Sequence, residues 1–172
     1  MNHRHSALLV IDLQNDYFPG GAFPLHDADA TLDRVLQAME QAKRQGMPII
    51  LVQHVAEGPS SFFNADSEGV AIHPRVLAAV PDAPVIVKHH ADSFLRTELA
   101  EVLQQQGIEE LLVCGMMTQN CVTHTAISTE ATPYRISILP DCCTTVSQML
   151  HIIALRAVEH RVRLATAAEA LA

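Results

Sequence analysis

The chain has 172 residues, 49% of them hydrophobic, which excludes a disordered polymer and suits one compact domain spanning residues 1–172. Its formal charge of −8, with no basic patch, argues against a nucleic-acid partner. No apolar run reaches the ~20 residues of a membrane helix, and the start, Met1-Asn2-His3-Arg4-His5-Ser6, lacks the pattern of a secretory signal, so the expectation is a cytoplasmic protein without membrane contact.

Six short, nearly continuous apolar runs read as strands buried on both faces: Ala7 to Leu13, Pro48 to His54, Pro84 to His89, Glu110 to Met116, Arg135 to Pro140 and Arg161 to Ala165. Helical spacing lies between them. Leu32, Val35, Leu36 and Met39 share a face before Gly46-Met47-Pro48 stops the run. Leu95, Leu99, Val102 and Leu103 repeat the pattern and end at Gly107. Two more helices fit Gln119 to Glu130 and Ser147 to Glu159, and one long irregular stretch runs from Ala56 to about Ile72. A loop of that length in a compact domain suggests a pocket wall or lid.

Alternating β and α elements predict an α/β fold of three layers, with a central six-stranded parallel sheet. Right-handed crossovers in the common order 3-2-1-4-5-6 set strands 1 and 4 side by side, and ligands bind where their carboxyl ends diverge. The chemistry should therefore lie just after Leu13 and just after Met116.

Three reactive residues occupy such places. Asp12 ends an apolar strand, where an unpaired carboxylate would be costly. Lys88 ends another, in Ile86-Val87-Lys88, and has to extend across a neighbouring strand to reach it. Thr118 reads as an N-cap, which makes Cys121 the third residue of a helix. A thiol beside free amides and an ammonium is expected to have its pKa lowered from about 8.5 into the range ~3.5–7.5. The chemistry is acyl transfer to water: Asp12 takes the thiol proton, Cys121 attacks a carbonyl, and Lys88 orients Asp12 and stabilises the thiolate. Cys114, Cys142 and Cys143 read as small buried residues. The rival readings are hydrolysis of a vinyl ether, with Asp12 protonating the substrate, and a redox-responsive thiol protein in which Cys142 or Cys143 resolves an oxidised Cys121.

Around the site, Phe18, Phe62, Phe63, His90 and His124 are the candidates for lining a pocket, each with packing or surface exposure as the plainer alternative. Asp16 reads as a turn residue. The histidines show none of the usual metal-binding spacings.

The chain resembles the isochorismatase-like cysteine hydrolases over nearly its whole length. Three motifs carry the resemblance in order: Leu9-Val10-Ile11-Asp12-Leu13-Gln14-Asn15-Asp16-Tyr17-Phe18, then Val85-Ile86-Val87-Lys88 with Asp92-Ser93-Phe94, then Gly115-Met116-Met117-Thr118-Gln119-Asn120-Cys121-Val122. The resemblance implies a catalytic triad of Asp12, Lys88 and Cys121. It also implies a cis peptide between Met116 and Met117, with the amides of Met117 and Cys121 as the oxyanion hole. The family's Rossmann-like fold, its action on small amides and ureides, and its homodimers or homotetramers are implied in the same way. In the nicotinamidase branch a metal is held by an Asp-x-His motif after strand 2. Here Gln53-His54-Val55 lacks the carboxylate, so the expectation is no metal, no cofactor, and a substrate other than nicotinamide. Isochorismatases acting on a vinyl ether often lack the cysteine, so its presence favours amide chemistry.

Overall fold

The structure is a computed structural model that describes residues 5–172; the first four residues, on which the reading of the chain's start partly rests, lie outside it. Six strands form one parallel sheet in the order β3-β2-β1-β4-β5-β6, as the alternating sequence pattern predicts. The strands are β1 (Ser6–Ile11), β2 (Ile49–His54), β3 (Val85–Lys88), β4 (Glu110–Met116), β5 (Arg135–Thr144) and β6 (Arg163–Leu164). The helices are α1 (Ala28–Arg44), α2 (Pro74–Ala79), α3 (Leu99–Gln105), α4 (Thr123–Ala126), α5 (Gln148–Val158) and α6 (Ala167–Ala170). Right-handed crossovers put α1 and α2 on one face of the sheet and α3, α4 and α5 on the other. Among the described residues, no helix is long and apolar enough to cross a membrane.

β1 and β4 form the centre, and every residue of β1 is buried. Their close approach depends on Gly115, which pairs with Ile11 and has φ +123°. A Cβ at Gly115 would collide with the Ile11 carbonyl, so only glycine fits. Directly beyond Ile11 the backbone turns out of the sheet at Asp12, whose φ is +52°. Its N–H still reaches the Val52 carbonyl at 3.0 Å, which anchors the turn to β2.

Several elements depart from the sequence reading. β3 is an edge strand with alternating burial, and Val85 and Val87 are 37% and 42% exposed, so it is not covered on both faces. β5 continues past Pro140 to Thr144 because its register jumps: Val113 faces Ile138, whereas Gly115 faces Cys143. Pro140 has no N–H to give the ladder, and the bulge it occupies frees the Asp141 carboxylate to receive the Ala167 N–H at the start of α6 (3.0 and 3.2 Å). α3 starts at Leu99 rather than near Leu95, since Arg96 adopts φ +57° and the Thr97 hydroxyl bonds back to the Ser93 carbonyl at 2.6 Å. The expected helix Gln119 to Glu130 breaks into a π-helical turn (Thr118–Val122), α4 and a 3-10 turn (Thr129–Ala131).

Candidate active site

The strand order and register assemble the site before any side chain is considered. Read from the edge inward, the carboxyl ends of β3, β2 and β1 present Lys88, His54 and Asp12, and β4 leads into Met117 and Cys121. His54 pairs with Lys88 across the ladder, and Ile11, one residue before Asp12, pairs with Val52.

Lys88 is the hub. Its side chain and that of Asp12 are fully buried, with Nζ 2.9 Å from Asp12 Oδ2. The same ammonium donates to Cys121 Sγ at 3.2 Å and to the His90 carbonyl at 3.0 Å, and it lies 2.8 Å from His54 Nδ1. The Asp12–Lys88 contact is an ion pair outside good hydrogen-bond geometry, and among the described residues neither carboxylate oxygen has an aligned donor. Asp12 therefore keeps lone pairs available for a proton. Cys121 is 1% exposed, and it, Asp12 and His54 each offer an atom within 4.8 Å of the other two. Asp12, Lys88 and Cys121 thus meet in one buried cluster.

The expected acidity of the thiol is reversed. Burial pushes the Cys121 pKa well above its ordinary value, and the Asp12 carboxylate adds to the rise; Lys88 opposes both without overcoming them. The helix end contributes less than the sequence suggested, because the first turn is a π turn and α4 is only four residues long. Thr118 is not the cap: that position belongs to Met117, and the Thr118 hydroxyl lies 2.8 Å from His151 Nδ1. At Lys88, burial works against the ammonium, but Asp12 and Cys121 outweigh it and the pKa rises.

The Met116–Met117 peptide is cis. The Met117 carbonyl takes the N–H groups of Asn120 at 3.1 Å and Val122 at 3.3 Å. Both bonds pass on either side of Cys121 in the sequence.

An aromatic layer adjoins the cluster, with the Phe63 ring centroid 5.9 Å from that of His54. The Tyr17 and Phe63 rings pack with centroids 4.6 Å apart, and each residue is 1% exposed. Phe62 joins them at 5.6 Å from Tyr17 and 5.0 Å from Phe63. The Tyr17 hydroxyl is held protonated, by burial first and then by the charges of Asp12 and the Cys121 thiolate form. Asp16, read as a turn residue, is the clasp of this layer: its carboxylate accepts from the N–H groups of Phe63 at 2.7 Å and Ala22 at 3.0 Å. Gly69 lies so close to that carboxylate that a Cβ would overlap it.

The other pocket candidates scatter. Phe18 packs against the His73 ring at 4.6 Å, and His124 is exposed with its ring on the Asn120 carbonyl at 2.8 Å. His90 serves Lys88 through its backbone carbonyl. The residues missed in the sequence are His54, Tyr17 and Gln14. Burial, then the neighbouring Lys88, lowers the His54 pKa to about 4, so its ring is neutral and accepts from Lys88 at Nδ1. A signal for His54 was present, since it ends the strand lying between those of Asp12 and Lys88.

Asp12, His54 and Cys121 have the donor chemistry of a metal site. They do not fit one here, because the Lys88 ammonium already sits within 3.2 Å of an atom of each and would repel a second cation. Gln53, one residue earlier, turns its amide to the Val70 carbonyl at 2.9 Å.

Comparison with known proteins matches residues 6–170 to the isochorismatase domain. The chain is 38% identical over 143 residues to the uncharacterized isochorismatase family protein YddQ of Bacillus subtilis, covering 83% of this chain and 79% of that one. It is 28% identical to the nicotinamidase of Escherichia coli, covering 82% and 84% of the two chains. Among solved structures, an isochorismatase hydrolase from Oleispira antarctica superposes with a TM-score of 0.90 at 30% identity, covering 99% of this chain and 98% of that chain.

Proposed function

From the premise that this chain belongs to the isochorismatase family of hydrolases, we propose that it cleaves a small, neutral amide or ureide at the C–N bond through a thioester on Cys121. The observation that carries this reading is the buried Lys88 ammonium, 2.9 Å from Asp12 and 3.2 Å from the Cys121 sulfur.

Those contacts set the order of events. At rest the cluster holds a carboxylate, an ammonium and a thiol, with no net charge. Moving the thiol proton to Asp12 leaves a carboxylic acid, an ammonium and a thiolate, again with no net charge, so the transfer carries little electrostatic penalty in a buried site. Sulfur then attacks the carbonyl carbon, and the negative charge passes to the carbonyl oxygen, which the amides of Met117 and Cys121 receive. Asp12 returns its proton to the departing nitrogen as the C–N bond breaks. Water, deprotonated by Asp12, then attacks the thioester, and the acid leaves with the thiol restored. Cys121 need not be a thiolate beforehand, which agrees with its raised pKa.

The groups packed on the cluster favour a neutral substrate. Lys88 is balanced by Asp12, and the neighbouring Tyr17, Phe63 and His54 carry no charge near neutral pH. A dicarboxylate such as isochorismate finds no spare cation among the described residues of that cluster. A redox role is not favoured either, because burial also raises the pKa of Cys114, Cys142 (to about 12) and Cys143, opposite to a sensor thiol. The nicotinamidase relative adds an example of amide hydrolysis on this fold.

The proposal includes a homodimer or homotetramer in the cytoplasm, acting on a small molecule without metal, cofactor, nucleic acid or membrane. α5 leaves Met149, Ile152 and Ile153 at least half exposed, apolar surface of the kind subunits bury. Light scattering tests the assembly. The activity is tested by offering small amides, ureides and isochorismate to the wild type and to Cys121→Ala. Amide or ureide turnover that Cys121→Ala abolishes supports the reading, and isochorismate turnover that survives the substitution overturns it.

A further inference from the structure

The winding of the turn after Met117 decides whether Cys121 has an N–H to give. In an α-helical turn each carbonyl accepts from the residue four places on, so an α turn here would spend the Cys121 N–H on the Met117 carbonyl. That carbonyl instead accepts from Asn120 at 3.1 Å and Val122 at 3.3 Å, three and five places on, and the Thr123 N–H reaches back five places to Thr118. The π winding of Thr118–Val122 thus passes over the Cys121 N–H. It is the rarer winding, with about one residue more per turn, and needs holding from outside. Among the described residues beyond the segment Met117–Ala126, two side chains bond to this turn. Lys88 donates to Cys121 Sγ at 3.2 Å, and His151 of α5 has its Nδ1 2.8 Å from Thr118 Oγ1. Further along, in α4, the Thr125 hydroxyl accepts the Ser93 N–H at 3.0 Å and donates to the Ser93 hydroxyl at 2.8 Å. Thr118 and Thr125 are therefore pinned at opposite ends, with the extra residue of the π winding between them.

We propose that His151 is a positioning residue: by fixing Thr118 it keeps the turn wound as π and the Cys121 N–H free to receive the oxyanion. The inference deepens the amide hydrolase reading and rests on it. His151 is placed for the role. The Ser147 side chain caps α5 by accepting the Leu150 N–H at 3.3 Å, and the Ser147 carbonyl takes the His151 N–H at 3.1 Å, so the imidazole stands on a capped first turn. Thr118 is fully buried, so no water replaces the imidazole at its hydroxyl. Burial, then Arg34, lowers the His151 pKa, which favours a neutral ring whose Nδ1 accepts the Thr118 proton.

The test compares two reagents for Cys121. Acetaldehyde adds the thiol across its C=O to give a hemithioacetal, sulfur on carbon and the proton on oxygen, with that oxygen where the oxyanion would form. Iodoacetamide is attacked at saturated carbon and needs no such site. Binding of 13C-labelled acetaldehyde is followed by NMR, and alkylation by peptide mass, in wild type, His151→Phe, His151→Asn and Thr118→Val. His151→Phe and Thr118→Val should each bind acetaldehyde at least about tenfold more weakly, since loss of one oxyanion donor is worth about a hundredfold or more. Their alkylation rates should stay within about twofold of wild type, a split that general loosening of the fold would not produce. His151→Asn places an amide oxygen near the former Nδ1 and should keep most of the wild-type affinity. Unchanged acetaldehyde binding in His151→Phe, an equal fall in both reactions, or an equal loss in His151→Asn overturns the proposal. So does a wild type that is alkylated but forms no hemithioacetal. Thr118→Val carries the test should His151→Phe not fold. Failure of the hydrolase reading has a separate signature, a wild type that captures acetaldehyde while no amide or ureide acylates Cys121.

Discussion

The Gln14 side chain holds the peptide groups on either side of His54, accepting its N–H and donating to its carbonyl, both at 2.8 Å, and its amide also reaches the Val70 carbonyl at 2.7 Å. Gln14 is fully buried, so no water replaces these bonds. Gln14→Leu keeps the volume and strands the N–H and the carbonyl of His54, while the Val70 carbonyl keeps the Gln53 amide at 2.9 Å. Each buried unpaired group costs about 1–3 kcal/mol, so urea unfolding should show a loss of at least about 2 kcal/mol. A loss under about 0.5 kcal/mol would mean that the strand ends are held by other means.

Gly115 makes a second, sharper prediction. With φ +123° and the Ile11 carbonyl against it, Gly115→Ala forces β1 and β4 apart beside Asp12. The variant should lose more than about 3 kcal/mol or fail to fold, in the range of strained-backbone and overpacking effects. Gly20→Ala is the control: its φ of +92° is also unfavourable, but no atom of the described residues lies within 4 Å of a Cβ there. Comparable losses in the two would locate the cost in φ rather than in the strand contact.

Cys121 should be slow to alkylate at neutral pH. Burial and the Asp12 carboxylate both raise its pKa, so its midpoint belongs above that of a free cysteine. Asp12→Asn removes the carboxylate charge and leaves Lys88 beside the sulfur, so the midpoint should fall by about one unit or more. Turnover should disappear in the same variant, because the proton acceptor is gone. A wild-type midpoint below 7 would restore the acid thiol expected from sequence.

Stability should respond to His54 as pH falls. Folding lowers its pKa from the ordinary 6.5 to about 4, chiefly by burial and then by Lys88, so the native state favours the neutral ring. The contribution is therefore full above pH 6.5, declines as pH falls through that value, and is gone below about 4. The Tm difference between wild type and His54→Asn isolates it from other carboxyl titrations. That difference should shrink in favour of the variant between pH 6.5 and 4; a constant difference over the window contradicts the buried, neutral imidazole.

Asp12, Lys88 and Cys121 were legible because each interrupts or follows an apolar strand with a residue that such a position penalises, and the parallel order brings those strand ends together. His54 was legible in principle by the same topology, as the end of β2 between them, but the segment Gln53-His54-Val55 stood out only for the metal-site carboxylate it lacks. Tyr17 and Asp16 were not distinguishable from turn residues, since their roles come from the segment Ala56 to Ile72 folding back on them, and long loops carry no periodicity. The thiol pKa failed for a different reason. Helix-end and lysine effects are visible in sequence, whereas the depth of burial that outweighs them depends on how the whole chain folds around the sulfur. α2 and α6, at six and four residues, are too short to show a helical repeat.

The most direct measurement is the mass of the protein stopped in acid during turnover of a small amide or ureide. Wild type should carry the acyl group of the substrate on the peptide containing Cys121, released by hydroxylamine, and Cys121→Ala should carry none. Steady turnover with no added mass on that peptide, or undiminished turnover in Cys121→Ala, would contradict the account.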